Sequence, residues 1–203
     1  ANNTAVGYNA LDANTTASDN TALGMQALSA NTTGTGNVAV GSGSLDANTT
    51  SSDNTSVGYA ALTANTAPNN TAVGSNALGG NTTGIYNTAV GRVALYTNTT
   101  GSNLTAMGFD ALRSNTTGDD NTAFGFQALR TNTTGVGNVG VGASALRANT
   151  TGSNNTAVGK WALKTATTAA SNTAVGVFAM EDTTTGGYNT ALGYASLANH
   201  TTS

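Results

Sequence analysis

The sequence predicts an all-β fold, a β-solenoid of stacked coils, and three observations support this prediction. First, the motif Asn-Thr-Ala-Val-Gly, followed by two variable residues and Ala-Leu, returns with variations twelve times in 203 residues. Second, the glycines of the motif are 17 residues apart, except for one step of 16 between Gly58 and Gly74. Third, Thr, Asn, Gly and Val dominate each unit, which disfavours a helix and favours short strands. A fixed period in this range is typical of solenoid proteins, in which each unit buries its apolar face against its neighbours.

Each repeat is predicted to form one coil of a parallel β-roll, so residues 1–203 are expected to be a single repeat array. In the first unit Thr4 and Val6 alternate with Ala5, as the two faces of a strand require. Gly7 then makes a corner, and segments of the type Asn-Thr-Thr-Gly supply a turn. Twelve coils stacked about 4.8 Å apart would span roughly 58 Å. Because the first and last coils are nearly ordinary, we expect a segment of a longer fibre.

Two apolar rows recur once per coil, and we expect them to form the core. The predicted core residues are Val6, Leu11, Val40 and Leu45, with Gly7 and Gly24 at the corners. The valine row comprises Val6, Leu23, Val40, Val57, Val73, Val90, Met107, Phe124, Val141, Val158, Val175 and Leu192. The leucine row comprises Leu11, Leu28, Leu45, Leu62, Leu78, Leu95, Leu112, Leu129, Leu146, Leu163, Met180 and Leu197.

Two further columns are dominated by alanine, one beside the valine row and one before the leucine row. They accept only Ser or Gly as exceptions, which indicates close approach of backbone. Two apolar rows cover little of a coil, so we expect the alanine columns to be buried further against other chains. The sequence therefore predicts an oligomer.

Composition argues against several classes of function. Charged residues are 7% of the chain and the net charge is −3, which argues against nucleic acid as a partner. The chain has no cysteine, so it has no disulfide framework and no thiolate metal site. No apolar run approaches the roughly 20 residues of a membrane helix, and we expect no membrane insertion by this segment.

No pattern of residues points to catalysis, a cofactor or a metal. The sole histidine, His200, stands where earlier coils carry a turn asparagine. Asp119 and Asp120 are adjacent in a turn and are expected to point apart, unlike an acid and base pair. The glycine-rich corners lack the lysine of a phosphate-binding loop. We therefore expect a non-enzymatic protein without a cofactor.

Three kinds of surface residue are candidates for modification or recognition. Asn-Thr-Thr triplets match the N-glycosylation motif on a surface turn, although their asparagines could instead adopt a left-handed backbone or stack their amides. Four cations share a column, either as a solvated edge or as a basic stripe for an anionic polysaccharide or a neighbouring fibre. Tyr8 and Tyr59 follow the corner glycine and could bind sugars or cover a thin core. The turn-asparagine row is Asn14, Asn31, Asn48, Asn81, Asn98, Asn115, Asn132 and Asn149, and the basic row is Arg113, Arg130, Arg147 and Lys164.

A threonine row suggests a different function. It runs through the first strand position of the coils, from Thr4 to Thr190, and is interrupted by Val38 and Val139. A flat row of threonines on a rigid solenoid can match ordered water, so ice binding is an alternative function.

The motif resembles a known family of surface proteins. NTAVGxxAL followed by NTTG is similar to the SVAIGxxAxA-type repeat of YadA-like heads in trimeric autotransporter adhesins, and to the longer NTAVG repeats of tail-fibre-type proteins of phages and bacteria. The adhesin unit is shorter than the 17 residues found here. The resemblance covers the whole chain and implies a left-handed β-roll, three chains about one axis, and a place on a cell or virion surface.

Together these observations predict a structural segment of an extracellular fibre or adhesin. The expected partners are further copies of the chain, as a homotrimer or an end-to-end filament, and cell-surface glycans. A self-stacking, glycosylated extracellular filament and an ice-binding solenoid are the alternatives.

Overall fold

The computed structural model describes residues 2–202, which form a β-solenoid. Within these residues, twelve strands of three residues each form one parallel sheet in chain order, and no helix is present. The all-β solenoid predicted from the repeat is therefore confirmed. The strands are β1 (Thr4–Val6), β2 (Thr21–Leu23), β3 (Val38–Val40), β4 (Thr55–Val57), β5 (Thr71–Val73), β6 (Thr88–Val90), β7 (Thr105–Met107), β8 (Thr122–Phe124), β9 (Val139–Val141), β10 (Thr156–Val158), β11 (Thr173–Val175) and β12 (Thr190–Leu192).

Each strand pairs in register with the strand one coil later. Thr21 lies opposite Val38, and the register is unchanged across the shorter coil, where Thr55 lies opposite Thr71. The missing residue falls in the turn, where Asn65-Thr66-Ala67 replaces the usual triplet and following glycine. A slip of one residue within a strand would turn every side chain to the opposite face, so the turn is the part of the coil that can absorb a deletion.

The valine row lies on the outside of the sheet, which corrects the prediction that Val6 and Val40 belong to the core. Val6 is 56% exposed and Phe124 is 51% exposed, while Val40 is half-buried. The middle residue of each strand points inward instead, and Ala22 is fully buried. A three-residue strand places its first and third side chains on one face and its second on the other. Thr and Val therefore share the outer face of the sheet.

The leucine row fills the interior beneath the strands. Leu45 is fully buried and Leu11 is 8% exposed. A Cβ added to Gly140, in the middle of β9, would lie 3.3 Å from Leu129 Cγ, so little more than a methyl group fits there. The alanine columns are thus buried inside their own coil, and the prediction that other chains bury them is wrong.

Each leucine of this row adopts a left-handed backbone conformation, which is costly for a bulky residue. The φ angles run from +48° at Leu112 to +54° at Leu45. The leucine amide is nevertheless bonded, since Leu45 N donates to Ala61 O of the next coil at 3.0 Å. Burial of a leucine side chain contributes roughly 1.5–3 kcal/mol, which is comparable with the cost of the strained backbone.

The corner glycines allow adjacent coils to approach closely. Gly41 has a φ of +127°, and a Cβ on it would lie 2.4 Å from Gly58 O. Gly7 and Gly24 occupy the same corner with φ angles of +134° and +138°. No side chain fits at this place in the stack, which explains why glycine recurs in every coil.

The turn-asparagine row forms a ladder of side-chain amides through the interior. Asn115 Nδ2 donates to Asn98 Oδ1 at 2.9 Å and to Gly118 O at 3.0 Å. Asn132 Nδ2 in turn donates to Asn115 Oδ1 at 2.8 Å. Buried amides are costly unless they are hydrogen-bonded, and stacking on an identical residue meets this requirement.

A second ladder precedes the strands, and we call it the strand-asparagine row. Asn37 N donates to Asn20 Oδ1 at 2.9 Å, and Asn20 Nδ2 donates to Gly34 O at 2.9 Å. Leu104 replaces asparagine in one coil and interrupts the row. The strand-asparagine row comprises Asn3, Asn20, Asn37, Asn54, Asn70, Asn87, Asn121, Asn138, Asn155, Asn172 and Asn189.

Three amide oxygens of the turn-asparagine row have no hydrogen-bond partner, and two of them lie where the row is broken. Among residues 2–202, the buried Oδ1 atoms of Asn14, Asn48 and Asn149 accept no hydrogen bond. After Asn149 the next coil carries Ala166, which has no amide to donate. After Asn48 comes the shortened coil, where Asn65 Nδ2 donates to Ala67 O at 2.6 Å instead. The bonds of each coil therefore depend on the residue at the same place in the next.

We predict that Asn115→Ala lowers the free energy of unfolding by about 3 kcal/mol or more, because each buried polar group left without a partner costs about 1–3 kcal/mol. The variant leaves Asn98 Oδ1 and Gly118 O without a partner, and Asn132 Nδ2 keeps only its bond to Gly135 O. Circular dichroism during thermal and chemical denaturation measures the change.

The matched control is Thr117→Ala, two residues further along the same turn. Thr117 is exposed, so its loss should change stability by no more than about 0.5 kcal/mol. Equal destabilisation by the two variants would contradict a stabilising role of the ladder.

Candidate binding surface

The eight asparagines predicted as glycosylation sites lie inside the coil, which corrects their predicted place on a surface turn. All but Asn14 are fully buried, and Asn14 in the first coil is half-buried. The nitrogen that would carry a glycan is a ladder donor, as in the 2.9 Å bond from Asn81 Nδ2 to Gly84 O. A glycan there would displace the bond and has no space in the stack. The folded coil is therefore incompatible with glycosylation of this row.

The acidic residues singled out from the sequence stabilise neighbouring turns. Asp119 Oδ1 accepts a bond of 2.8 Å from Ser102 N, and Asp120 Oδ1 accepts one of 3.1 Å from Asn103 Nδ2. In the part of the chain that the structure describes, no three His, Cys, Asp or Glu side chains are grouped so that they could hold a metal ion. The same part contains no helix of the length and apolar character needed to span a membrane.

The basic row lies on four successive coils and is paired with acids at both ends. Asp110 receives Arg130 Nε at 3.1 Å and Arg113 Nε at 3.7 Å. Lys164 Nζ lies 3.0 Å from Glu181 Oε1. Arg147, between these pairs, forms no ion pair within residues 2–202. The acids thus hold the flanking cations in place and leave the charge of the middle arginine uncompensated.

A groove of about 270 Å³ runs beside the basic row, and we call it the basic groove. Its residues are Arg130, Arg147 and Lys164 together with the residue that follows each of them, Thr131, Ala148 and Thr165. Thr131 Oγ1 donates to Arg147 O at 2.7 Å, and Thr165 Oγ1 donates to Glu181 O at 2.7 Å. Because both hydroxyl protons are engaged by the backbone, the side-chain donors available to a ligand are those of the cations.

The only tryptophan of the chain lies next to this groove. Lys164 Nζ is 5.1 Å from the centroid of the Trp161 ring, and Lys160 Nζ is 4.1 Å from it. Phe178, one coil later, lies 4.9 Å from the same ring. Cation–π attraction restrains the two lysines above the indole. Trp161 stands at a variable position of the repeat and therefore belongs to no row in the sequence, and its lysine neighbours are the one local signal that could identify it.

Tyr8 and Tyr59 are solvent-facing but are not brought together. They are 73% and 64% exposed, and they stand in the first and fourth coils of the array. Phe109 and Phe126 occupy the same position in adjacent coils and stack with their centroids 5.7 Å apart. This column therefore forms local aromatic contacts where aromatics are consecutive, and no continuous aromatic surface.

The outer face of the sheet carries the threonine row and the valine row side by side. No residue of the twelve strands is charged. Leu23 is 47% exposed and Leu192 is 77% exposed, so apolar side chains line this face along the array. Such a line of apolar side chains is unusual for a surface in contact with water, so this face is a candidate for contact with another molecule.

Comparisons of the chain with protein-family models, with curated proteins and with solved structures give no match. The resemblance to YadA-like heads and tail-fibre-type repeats therefore rests on the NTAVGxxAL and NTTG motifs of the sequence. What the chain does has to be inferred from its own surfaces.

Proposed function

We propose that this chain is a non-enzymatic structural segment of an extracellular fibre or adhesin, which provides a stiff shaft and a surface-binding face. The motif resemblance supports a place on a cell or virion surface. Stiffness is supported by hydrogen bonds that connect each coil to the next in strand, turn and asparagine rows, as in the bonds of Asn98 and Thr99 to neighbouring coils. A solenoid in which every coil is hydrogen-bonded to the next bends less than a chain of domains joined by linkers.

The observation that carries this proposal is the exposed valine row, which we propose to be the contact face of a homotrimer. A second copy of the chain repeats at the same spacing of about 4.8 Å, so the apolar residues of the copies stay in step along the whole stack. The absence of charge in the strands removes the cost of desolvating ions, and the buried centres of protein interfaces are depleted in charged residues. The number three follows from the resemblance.

We predict that the double variant Val90→Lys and Val141→Lys converts the trimer to a monomer, because six buried lysine charges would face one another in the assembly. Both valines point outward in the single chain and are half-buried, so each coil should still fold. Light scattering coupled to gel filtration should give three times 19.9 kDa for the unchanged segment and 19.9 kDa for the variant.

The control variant carries Thr117→Lys and Thr134→Lys, which add the same charge on exposed turns. It should remain trimeric. A monomeric unchanged segment would contradict the trimer. Continuous growth to higher mass would favour the alternative of a filament, in which β12 of one copy pairs with β1 of the next.

Ice binding is a second candidate because the threonine row lies on the outer face of the sheet, with Thr88 and Thr105 paired in register. Phe124 and Met107 in the adjacent valine row are larger than the surrounding valines and interrupt a level surface. If ice is the ligand, micromolar protein should give thermal hysteresis that Thr88→Lys abolishes. Absence of hysteresis would eliminate this function.

A further inference from the structure

We propose that the basic groove binds the acidic group of a polysaccharide, a carboxylate or a sulfate ester, with Arg147 as its principal contact. This inference rests on the proposed function, since a fibre that contacts surfaces needs a ligand to recognise. The site lies on three successive coils.

The charge of the groove differs in sign from that of the whole chain. The groove has three cations, Arg130, Arg147 and Lys164, and the acids bound to them are Asp110 and Glu181, which leaves a surplus of one positive charge. The whole chain has a net charge of −3. An anion is therefore attracted to this region of a chain whose net charge is negative, and a cleft lined by one sign of charge concentrates the field.

Arg147 is placed to bind an anion because no carboxylate of residues 2–202 competes for it. Its planar guanidinium can donate two parallel hydrogen bonds to a carboxylate or a sulfate. Arg130 and Lys164, one coil to either side, are held by their acids at 3.1 Å and 3.0 Å. They define the walls of the groove and add to its positive potential.

The size and lining of the groove favour a sugar over a small inorganic anion. A volume of about 270 Å³ is close to the lower limit for ligand pockets. Ala148 and the aliphatic stems of the cations give it apolar surface. A ring with apolar C–H faces and one acidic group satisfies both parts of this lining, whereas an inorganic anion uses only the cations.

The spacing of charges favours a polysaccharide over nucleic acid. Duplex DNA carries one charge per about 1.7 Å of its axis, whereas the three groove cations are spread over two coil steps, about 10 Å. Asp110 and Glu181 lie beyond the two ends and would repel a dense polyanion. A polysaccharide can place one acidic group at Arg147 and neutral parts of the chain near these acids.

Trp161 provides the measurement, because Lys164 Nζ lies 5.1 Å from its ring and it is the only tryptophan. The unchanged segment is titrated with polygalacturonate, dextran sulfate and neutral dextran while tryptophan fluorescence is recorded. We expect saturable binding of polygalacturonate or dextran sulfate that weakens with added salt, and none of neutral dextran. Whichever polymer binds identifies the acidic group as a carboxylate or a sulfate ester.

The variants are Arg147→Gln and, as the control, Arg92→Gln. Loss of a charge-assisted bond should weaken binding about tenfold or more in Arg147→Gln. Arg92 is exposed, stacks on Phe109 at 5.7 Å and lies outside the groove, so its variant should bind within about twofold of the unchanged segment. Neither arginine is buried, and circular dichroism verifies that both variants fold.

Equal loss in both variants, equal binding of neutral dextran, or equally tight binding of duplex DNA would overturn the proposal. Light scattering on the same samples separates this outcome from failure of the proposed function. A trimer that binds no acidic polymer contradicts the groove alone, and a monomer whose binding depends on Arg147 contradicts the trimer alone.

Discussion

The structure depends above all on hydrogen bonding from each coil to the next at a spacing of about 4.8 Å. Backbone, threonine hydroxyls and asparagine amides all follow this rule, as in the 2.7 Å bond from Asn98 Nδ2 to Asn81 Oδ1 and the 2.9 Å bond from Thr99 Oγ1 to Thr116 O. Each inward-facing position must therefore hold a residue that can stack on the same residue type in the next coil. The interior can be unusually polar because almost every buried amide has a partner one coil away. Where the next coil carries a different residue, as at Ala166, a buried oxygen is left without a hydrogen bond.

The same constraint determines where function can lie. The leucine row fills the space beneath the strands and leaves room only for alanine at the inward strand position, so the larger side chains of the valine row face outward. The residue that follows each member of the leucine row does not have to stack on an identical residue. It therefore varies along the array, from Asp12 through Arg130 to Glu181. Chemistry specific to a few coils, such as the basic groove, can arise at these positions without disturbing the ladders.

The repeat, the strand in each coil and the glycine corner could be predicted because each has a local signal in the sequence. The orientation of the strand could not be predicted, because the alternation of Val6 with Ala5 is the same whether Val6 points inward or outward. Valine is also a common core residue, which favoured the wrong orientation. Asn-Thr-Thr was similarly ambiguous, because a surface glycosylation motif and a buried amide ladder have the same letters. The positive φ of Leu45 could not be predicted either, because leucine normally avoids a left-handed backbone conformation. The bridge from Asp110 to Arg130 joins residues of different coils, which only the coil geometry reveals.

Hydrogen exchange of asparagine side-chain amides, followed by nuclear magnetic resonance, tests the account most directly. If the ladders hold the stack together, the Nδ2 protons of Asn98, Asn115 and Asn132 exchange as slowly as the strand amides. The amide of Asn69, which is exposed, should exchange rapidly under the same conditions. Rapid exchange of all four side chains would contradict a buried amide ladder, and with it the structural basis proposed for the stiffness of this solenoid.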